Sequence, residues 1–461
     1  MQHGVAVSAP GKVLLAGGYL VLDRAYTGVV FGLDARIHVI VQNIPTRNGV
    51  TLNEIVVQSP QFQDAVWEYG YRLTEANGGI RVTQLRVRAD LNLNSNPFIE
   101  TTLGYALSYV AAVTGPQVSP ASVTILADND YYSTPAELTV GSRPTSRFHN
   151  FGVPLSKAHK TGLGSSAALV TALTAALLSY YLPKDVFTLT SPSGLRKLHN
   201  LAQAAHCAAQ GKVGSGFDVA SAVYGSCLYR RFSPAILSHH PEPGQPRFVP
   251  KLCDLVDETG QTGKWDQEIL KDAVRVPAGL RLVMCDVSCG SQTPGMVKKV
   301  LAWRKENAEE AETIWRELQE VNEGLAAEMK VVAEAGKGEM SYVGLRDKFA
   351  QIRRGIRLMS EKSGVPIEPP PQTELLDACE RVEGVIGGVV PGAGGYDAIS
   401  LLIEDKEAVI SELRSLLASW KFKVGLDMEE GGGRVSMLGV RQDMEGVKMA
   451  SVKDYQNWLV E

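Results

Sequence analysis

The sequence lacks the features of membrane, secreted and nucleic-acid-binding proteins. Its longest Ala/Leu-rich run, 167–178, contains two threonines and is shorter than the roughly 18–20 residues that span a bilayer. Residues 1–10 have neither a basic flank nor a long apolar core, so we expect no signal peptide. With 46 basic and 50 acidic residues, the net charge is −4, which gives no basic surface for nucleic acid. We therefore expect neither a membrane nor a nucleic-acid partner.

Cysteine is also scarce. The six cysteines, at positions 207, 227, 253, 285, 289 and 379, are too few and too scattered for a disulfide framework. Cys285 and Cys289 form a C-x3-C pair without a second cluster, which disfavours a zinc site. Reduced thiols and the absence of a signal peptide together predict a cytoplasmic protein.

The chain is long enough for two domains. It has 461 residues, of which 44% are hydrophobic and 21% charged, a composition typical of a folded protein with substantial cores. Composition changes where a Pro-rich, charged stretch begins, which predicts domains at 1–232 and 233–461. Strand patterns come first and helical patterns later, so we expect an α+β fold. The helical pattern over 296–335 is too long for one compact helix, and we expect it to break at Gly324.

Glycine is in excess. There are 45 glycines, whereas the usual share of about 7% would give about 32. Thirteen of them fall in four clusters, at 11, 17 and 18, at 162 and 164, at 211, 214 and 216, and at 387, 388, 392, 394 and 395. Glycine allows sharp bends and a close approach of backbone to a ligand. The excess therefore directs attention to these four places.

The strongest cluster is KTGLGSSAAL at 160–169, which leads into a helix predicted over 165–181. Two glycines let the backbone curl, and free amides at a helix N-terminus favour an anion. Ser165 and Ser166 add hydroxyls that bind phosphate oxygens or a hard cation. A simple Ser-capped helix is the alternative, but it requires neither two glycines nor a lysine at 160. The cluster therefore predicts a phosphate-binding loop.

Two other nucleotide motifs fit poorly. A Walker A loop needs Ser or Thr after Gly-Lys, and none of the Gly-Lys pairs in this sequence has one. A dinucleotide turn would tolerate Gly162, Gly164 and Ala167, with Asp185 downstream. However, the residues before that turn do not form a buried-strand pattern. The dinucleotide interpretation is therefore disfavoured.

The other three clusters add charged groups and exposed backbone. Lys12 follows Pro-Gly and precedes Val-Leu-Leu, so its ammonium would lie at the edge of a core, where lysines are usually paired or functional. Asp218 stands between an aromatic residue and an apolar run, where a helix cap and a catalytic group are equally reasonable. The cluster at 387–397 has several amides suited to an anion-binding nest.

In this order, the four clusters resemble the GHMP kinase superfamily, and the resemblance extends from Pro10 to Asp397. Within it, the chain is most similar to the fungal and plant phosphomevalonate kinases. The segments that carry this similarity are APGKVLLAGGYLVLD, NPFIET, DNDYYS, KTGLGSSAAL, GKVGSGFDVASAVYG and GSQTPGMVKKVLAW. Gly18-Tyr19-Leu20 stands where mevalonate kinases and galactokinases usually carry Gly-Glu-His, which argues against those relatives.

The resemblance implies both a fold and a reaction. The expected fold is the two-domain GHMP kinase fold, with an N-terminal domain like ribosomal protein S5 domain 2 and a ferredoxin-like C-terminal domain. The expected reaction is ATP-dependent phosphorylation of 5-phosphomevalonate to 5-diphosphomevalonate, with release of ADP, in the mevalonate pathway to isoprenoids and sterols. The expected cofactors are ATP and Mg²⁺.

The resemblance also implies roles for individual residues. Lys12 and Asp218 would be the catalytic pair. The nucleotide would contact Lys160, Gly162, Leu163, Gly164, Ser165, Ser166 and Ala167, with Asn96 and Asp130 at the adenine end. The acceptor would contact Lys12, Gly18, Tyr19, Ser215, Asp218, Ser291, Thr293 and Gly394.

Magnesium coordination departs from the family pattern. In mevalonate kinases, a glutamate eleven residues before the catalytic aspartate supplies a second ligand. Here that position is Cys207, which follows His206, and no carboxylate is near. We expect Mg²⁺ to be held by Ser166, the ATP phosphates and water. His206 is either a ligand or, in the favoured interpretation, a histidine packed on a helix.

Two alternatives stay open at this point. The first is a GHMP kinase for another acceptor, such as mevalonate or a sugar. The second is a non-catalytic sensor that binds nucleotide and metabolite, although the presence of Lys12, Ser166 and Asp218 argues against it. We expect a monomer or a weak homodimer.

Overall fold

The computed structural model describes residues 4–44, 52–85, 95–133, 147–238, 240–260, 264–287, 293–335, 341–422 and 434–459. Within these ranges, the chain forms one sheet of ten strands and one of four, with helices packed on both. This mixture agrees with the predicted α+β class. None of the helices in these ranges combines the length and the apolar character that crossing a membrane requires.

The first sheet is built on two long antiparallel strands. Strands β1 (Gly4–Ala16) and β2 (Thr27–Asn43) pair along nearly their whole length. The register shifts between Pro10 and Gly11, and such a bulge accommodates a proline, which has no N–H to give to the ladder. The sequence motif around Lys12 is therefore part of a continuous strand and not a loop.

The other strands extend this pair on both sides. The sheet order is β14-β1-β2-β6-β3-β4-β5, with β7 and β13 also on β2, and β8 on β7. The bounds are β3 (Glu54–Gln58), β4 (Val66–Thr74), β5 (Gly79–Gln84), β6 (Ala121–Ala127), β7 (Cys227–Arg230), β8 (Glu268–Leu270), β13 (Gln442–Asp443) and β14 (Lys448–Ala450). All these pairs are antiparallel except β3 with β6.

Within the described ranges, a layer of helices covers this sheet. They are α1 (Pro97–Thr114), α2 (Ser165–Tyr181), α3 (Pro192–Gln210), α4 (Phe217–Tyr224) and α5 (Phe248–Asp257). Helix α2 is central: it contacts β1 and β2 as well as α1, α3 and α4. Its Ala-rich sequence suits burial on all sides, because small side chains let neighbouring elements approach closely. The loop before α2 is thereby held rigidly at the sheet.

The second sheet has four antiparallel strands in the order β10-β11-β9-β12. These are β9 (Leu280–Val287), β10 (Val385–Val389), β11 (Ala398–Glu404) and β12 (Val435–Met437), and α8 (Val343–Ser363), α9 (Pro370–Glu380) and α10 (Glu407–Ser419) connect them. Helices lie between the first and second strands and between the third and fourth. This topology confirms the expected ferredoxin-like arrangement.

The expected helix break at Gly324 is wrong. Helix α6 (Thr293–Glu306) ends before Asn307, and α7 (Ala308–Glu334) continues through Gly324. The Asn307 side chain donates to the Trp303 carbonyl at 3.1 Å, which closes the end of α6. A Cβ on Gly324 would lie 3.0 Å from Lys348 Cε. This glycine therefore allows close packing of α7 on α8.

The predicted division between residues 232 and 233 does not coincide with the division between the sheets. Strand β8 and helix α5 follow residue 233 but pack with the first sheet, and β13 and β14 return to it from the C-terminal end. Arg36, which is buried in β2, donates to the Asp443 carboxylate at 3.0 Å and also to the Gly446 carbonyl. Pairing between strands that are far apart in the sequence does not change local composition, so composition alone could not predict this arrangement.

A buried ion pair supports the connection between α8 and α9. Arg353 donates through Nε and Nη2 to Glu368 at 3.1 and 2.9 Å, and both residues are buried. The neighbouring carbonyl of Ile367 accepts from the Gly395 N–H at 2.9 Å, and Gln372 donates to the Tyr396 carbonyl at 2.7 Å. The pair therefore holds the segment on which the fourth glycine cluster rests.

Replacement of Arg353 by Met should destabilise the protein by about 3 kcal/mol, because it leaves Glu368 buried with fewer partners. The free energy of unfolding, measured by urea titration, tests this. The matched control is the double variant with Glu368→Met, which should recover most of the loss. Equal or greater instability of the double variant would contradict the role of this pair.

Candidate active site

The loop at 160–168 has the conformation that its glycines suggested. Gly162 and Gly164 have φ values of +76° and +81°, in the left-handed region that side chains with a Cβ rarely adopt. Gly164 precedes the first turn of α2, and within the described residues no side chain caps that turn. The N–H groups of this turn and the positive end of the helix dipole can therefore receive an anion.

Lys12 lies directly against this loop. Its backbone N–H donates to the Leu163 carbonyl at 2.9 Å. Its aliphatic chain packs on Gly164, where an added Cβ would be 2.7 Å from Lys12 Cε. Gly164 is thus required twice, for its φ and for the space that Lys12 occupies. Strand β1 consequently brings a cation beside the 160–168 loop.

The charge of Lys12 depends on two opposing effects. Burial lowers the pKa of its ammonium, and the Coulombic attraction of Asp218 partly offsets this by favouring the charged form. Lys12 Nζ is 5.5 Å from the centre of the Phe217 ring, which adds a cation–π contact beside Asp218. The structure therefore brings the predicted pair Lys12 and Asp218 together.

Asp218 and Ser166 flank one histidine. Nε2 of His206 is 3.2 Å from Ser166 Oγ, and its Nδ1 is 3.9 Å from an Asp218 carboxylate oxygen. The sequence favoured a packed histidine at this position. His206 is indeed buried in α3, but it also contacts the first turns of both α2 and α4.

The turn before Asp218 is held by residues that the sequence analysis did not identify. Arg231 donates to the carbonyls of Val213, Gly214 and Leu22. The Tyr229 hydroxyl donates to the carbonyl of Ser215 at 2.9 Å. A glycine-rich turn exposes carbonyls as well as amides, and a nearby arginine supplies the donors. Arg231 and Tyr229 thus position the predicted acceptor residue Ser215 and the start of α4.

The fourth glycine cluster does not form the predicted open nest of amides. The N–H groups of Gly392, Gly394 and Gly395 donate to the carbonyls of Leu14, Pro391 and Ile367, respectively. These amides are therefore already used, two in tertiary hydrogen bonds and that of Gly394 in a local turn. The cluster instead joins the second half of the chain to β1.

Gly18 and Tyr19 complete this junction. A Cβ on Gly18 would lie within 2.2 Å of the Gly392 carbonyl oxygen, so only glycine fits there. Tyr19 is buried, and its hydroxyl donates to the Ala393 carbonyl at 2.6 Å. Burial raises the pKa of this hydroxyl above its ordinary value. Contacts of Gly18, Tyr19 and Gly394 with an acceptor stay predictions.

A cavity opens beside the phosphate loop. Four of the predicted nucleotide residues line it: Asn96, Lys160, Ser165 and Ser166. Its other walls are mostly apolar and aromatic and include Phe62, Trp67, Phe98, Ile125, Tyr132 and Leu169. Asn96 also caps α1 by accepting from the Ile99 N–H at 3.4 Å. An apolar slot next to an anion-binding loop suits a nucleotide base.

Asp130 does not line this cavity. Its carboxylate accepts from the Gly439 N–H at 2.6 Å, and its carbonyl accepts from the Thr161 hydroxyl. Burial raises the pKa of this carboxyl. Asp130 therefore supports the phosphate loop from behind. Ser291 lies outside the described residues, and Thr293 begins α6 without a described side chain.

The relatives of this chain decide its family. A phosphomevalonate kinase of Gibberella zeae is 55% identical over 459 residues, which cover 99% of this chain and 98% of the relative. One of Aspergillus fumigatus is 50% identical, with 98% of each chain covered. A peroxisomal phosphomevalonate kinase of Arabidopsis thaliana is 32% identical over 86% of this chain and 89% of its own. The chain belongs to the phosphomevalonate kinase family.

Family models and solved structures agree with this membership in the GHMP kinases. The GHMP kinases N terminal domain matches residues 147–226, and the GHMP kinases C terminal domain matches residues 345–421. A Streptococcus pneumoniae phosphomevalonate kinase, solved with phosphomevalonate and AMPPNP, aligns with a TM-score of 0.58 at 16% identity and covers 95% of this chain and 100% of its own. A Listeria innocua protein aligns with a TM-score of 0.66 at 17% identity, and the alignment covers 97% of this chain and 100% of that protein. These alignments confirm the expected GHMP kinase fold.

Alanine at Gly164 should impair this family member far more than alanine at Gly162. Both positions have left-handed φ, but an added Cβ collides with Lys12 only at 164 and meets nothing within 4 Å at 162. Displacement of a catalytic group by about 1 Å can cost about 100-fold in rate. We therefore expect a loss of that order in kcat at saturating ATP for Gly164→Ala.

Gly162→Ala is the matched control, because it carries a similar backbone strain without the collision. Its kcat should stay well above that of Gly164→Ala, and thermal unfolding should confirm that both variants are folded. Equal losses of kcat in the two variants would show that strain, and not the position of Lys12, limits catalysis.

Proposed function

We propose that the chain transfers the γ-phosphoryl group of ATP to the phosphate of 5-phosphomevalonate, which yields 5-diphosphomevalonate and ADP. The observation that carries this proposal is the position of Lys12 across Gly164 of the phosphate loop, with Asp218 near enough to act on its charge. The chain's relatives are named for this activity. The product would enter isoprenoid and sterol synthesis.

The loop before α2 is the proposed seat of the ATP phosphates. The amides of residues 162–167 and the dipole of α2 would bind phosphate oxygens, and Lys160 borders the same cavity. The base would enter the aromatic part of that cavity between Asn96 and Phe98 on one side and Tyr132 on the other. This placement would direct the γ-phosphoryl group toward Lys12.

The acceptor is proposed to lie between Lys12, Asp218 and the junction of the two sheets. Ser215 borders Asp218 along the chain, and Gly18, Tyr19 and Gly394 form the junction. Ser291 and Thr293 complete the proposed acceptor contacts. Positive charge is essential there, because two phosphorylated substrates meet in one cleft.

The acceptor's own ionisation assigns a role to Asp218. A phosphomonoester has a second pKa of about 6, so its attacking oxygen is mostly ionised at neutral pH. That oxygen forms the new bond to Pγ while the bond from Pγ to the bridging oxygen of ADP breaks, and no proton needs to be removed first. We propose that Asp218 orients Lys12 and the acceptor, and that Lys12 aligns and screens the two phosphates.

The residues present fit a magnesium ion that arrives with ATP. Ser166 offers a hydroxyl oxygen beside the phosphate loop, and Asp218 offers a carboxylate on the other side of His206. Within the described part of the chain, no three His, Cys, Asp or Glu side chains gather into a metal site. Phosphate oxygens and water would therefore supply the other ligands, as Mg²⁺ commonly requires. The chemistry that the bound ion supplies is neutralisation of phosphate charge.

The two catalytic residues should differ in their pH–rate profiles. Lys12→Met should be severely impaired at every pH, because the charge that screens the phosphates is gone. Asp218→Asn should keep measurable turnover above pH 7, where the acceptor phosphate is already ionised. Steady-state ADP release from pH 5.5 to 9 tests this. Complete loss in Asp218→Asn, with fold and substrate binding intact, would make Asp218 an obligatory base.

The acceptor is tested directly with a panel. ADP release should occur with 5-phosphomevalonate and be far weaker with mevalonate, galactose or homoserine, because the site is proposed to bind a second phosphate. Lys12→Met is the control for contaminating kinases. Equal turnover of mevalonate would contradict the proposed acceptor, and nucleotide binding without any turnover would indicate a sensor.

We also propose that the protein acts in the cytoplasm as a monomer or weak homodimer. Reduced cysteines support the first part of this proposal, since the described cysteines 207, 227, 253, 285 and 379 are all free. The second part rests on the scattered positions of the exposed apolar residues, such as Val66, Leu270 and Val331, which do not suggest a large obligate interface.

A further inference from the structure

His206 lies at the centre of the site although it belongs to none of the glycine clusters. Only 2% of its surface is exposed. Nε2 is 3.2 Å from both Ser166 Oγ and the Gln210 amide nitrogen, and Nδ1 faces Asp218 at 3.9 Å. The Phe98 ring packs on it, with ring centres 5.7 Å apart. Three helices thus fix the ring against Ser166.

These partners determine which nitrogen carries the proton in the neutral ring. The Gln210 amide nitrogen only donates hydrogen bonds, so the Nε2 atom that faces it accepts. The Asp218 carboxylate only accepts, so a proton on Nδ1 suits it. Nε2 then has one lone pair, which the Ser166 hydroxyl and the Gln210 amide share, so the Ser166 hydroxyl hydrogen points toward the ring. The direction of the Ser166 hydrogen bond follows from the ring's surroundings.

A hydroxyl has one hydrogen and two lone pairs. When His206 takes the hydrogen, both lone pairs of Ser166 Oγ are free for a cation. We propose that His206 is a positioning residue that holds Ser166 as an oxygen ligand for the Mg²⁺ of the Mg–ATP complex. This inference rests on the proposed function, in which Ser166 contacts that ion. Partners that orient a metal ligand commonly contribute about 10–100-fold to metal affinity.

Two substitutions test the two nitrogen positions of the His206 ring separately. His206→Gln places an amide near the position of Nε2 and can still accept from Ser166. His206→Asn reaches only the position of Nδ1, near Asp218, and leaves Ser166 without its acceptor. Isothermal titration of the full-length chain with AMPPNP, once with Mg²⁺ and once with EDTA, measures the gain in affinity that the metal provides.

For His206→Asn, the affinity for Mg–AMPPNP should fall about tenfold, whereas the affinity for metal-free AMPPNP should not change. His206→Gln should retain most of the metal-dependent gain. Equal losses in both variants, or the same loss with EDTA present, would overturn the inference, because a ring that only packs would affect both nucleotide forms alike.

Ser166→Ala distinguishes this inference from the proposal on which it rests. If Ser166→Ala removes the metal-dependent gain in affinity and His206→Asn does not, the proposed role of His206 is wrong and the proposed metal contact of Ser166 stands. If Ser166→Ala leaves the gain intact, the proposed metal contact fails as well.

A measurement without substitution covers the case in which His206→Asn does not fold. Nitrogen-15 chemical shifts of selectively labelled histidines in the wild-type chain should show His206 protonated at Nδ1 and unprotonated at Nε2. A neutral ring with its proton on Nε2 would overturn the inference, since Ser166 could not then donate to it.

Discussion

The contact between Lys12 and the loop before α2 is the constraint on which the rest of the site depends. Lys12 uses its backbone to hold Leu163 and its side chain to cover Gly164. Most of α2 is buried, so the helix that follows this loop is fixed against its neighbours. Leu14, two residues further along the same strand, and Gly18, just beyond its end, contact the 391–395 turn. Strand β1 therefore carries the cation and contacts both the loop before α2 and the turn that leads to the second sheet.

Four cations that the described fold removes wholly or partly from water fall into two classes. Arg36, Arg231 and Arg353 are saturated by carbonyls and carboxylates, so their charges serve the architecture. Lys12 differs: among the described residues it has an aromatic ring beside its ammonium and Asp218 only at long range. A partly buried cation without a contact counter-ion favours an incoming anion. This distinction explains why Lys12, and not one of the arginines, suits a bound phosphate.

Local sequence signals predicted the parts of the site that local structure makes. The glycines at 162 and 164 and the serines at the start of α2 stand where their spacing suggested, whereas the pairing of Lys12 with Asp218 came from the family resemblance. The role of the fourth cluster could not be predicted, because its amides are satisfied by residues far away in the chain, such as Leu14. Helical periodicity indicates that His206 is packed, but it does not reveal that the Nε2 atom contacts Ser166 at the start of α2. Gly324 shows a similar ambiguity, since a glycine in a helix can mark an end or a close contact.

The return of the C-terminal strands to the first sheet has a consequence for biosynthesis. Ser8 pairs with Lys448, and the buried guanidinium of Arg36 finds Asp443 and Gly446 only when that segment is present. At the usual translation rate of about 5–20 residues per second, the partner strand follows β1 after roughly 20 to 90 s. During that interval the first sheet has an unpaired edge at β1, and Arg36 lacks its partners Asp443 and Gly446. Maturation of this sheet is thus coupled to synthesis of nearly the whole chain, and partial chains would be natural clients of chaperones.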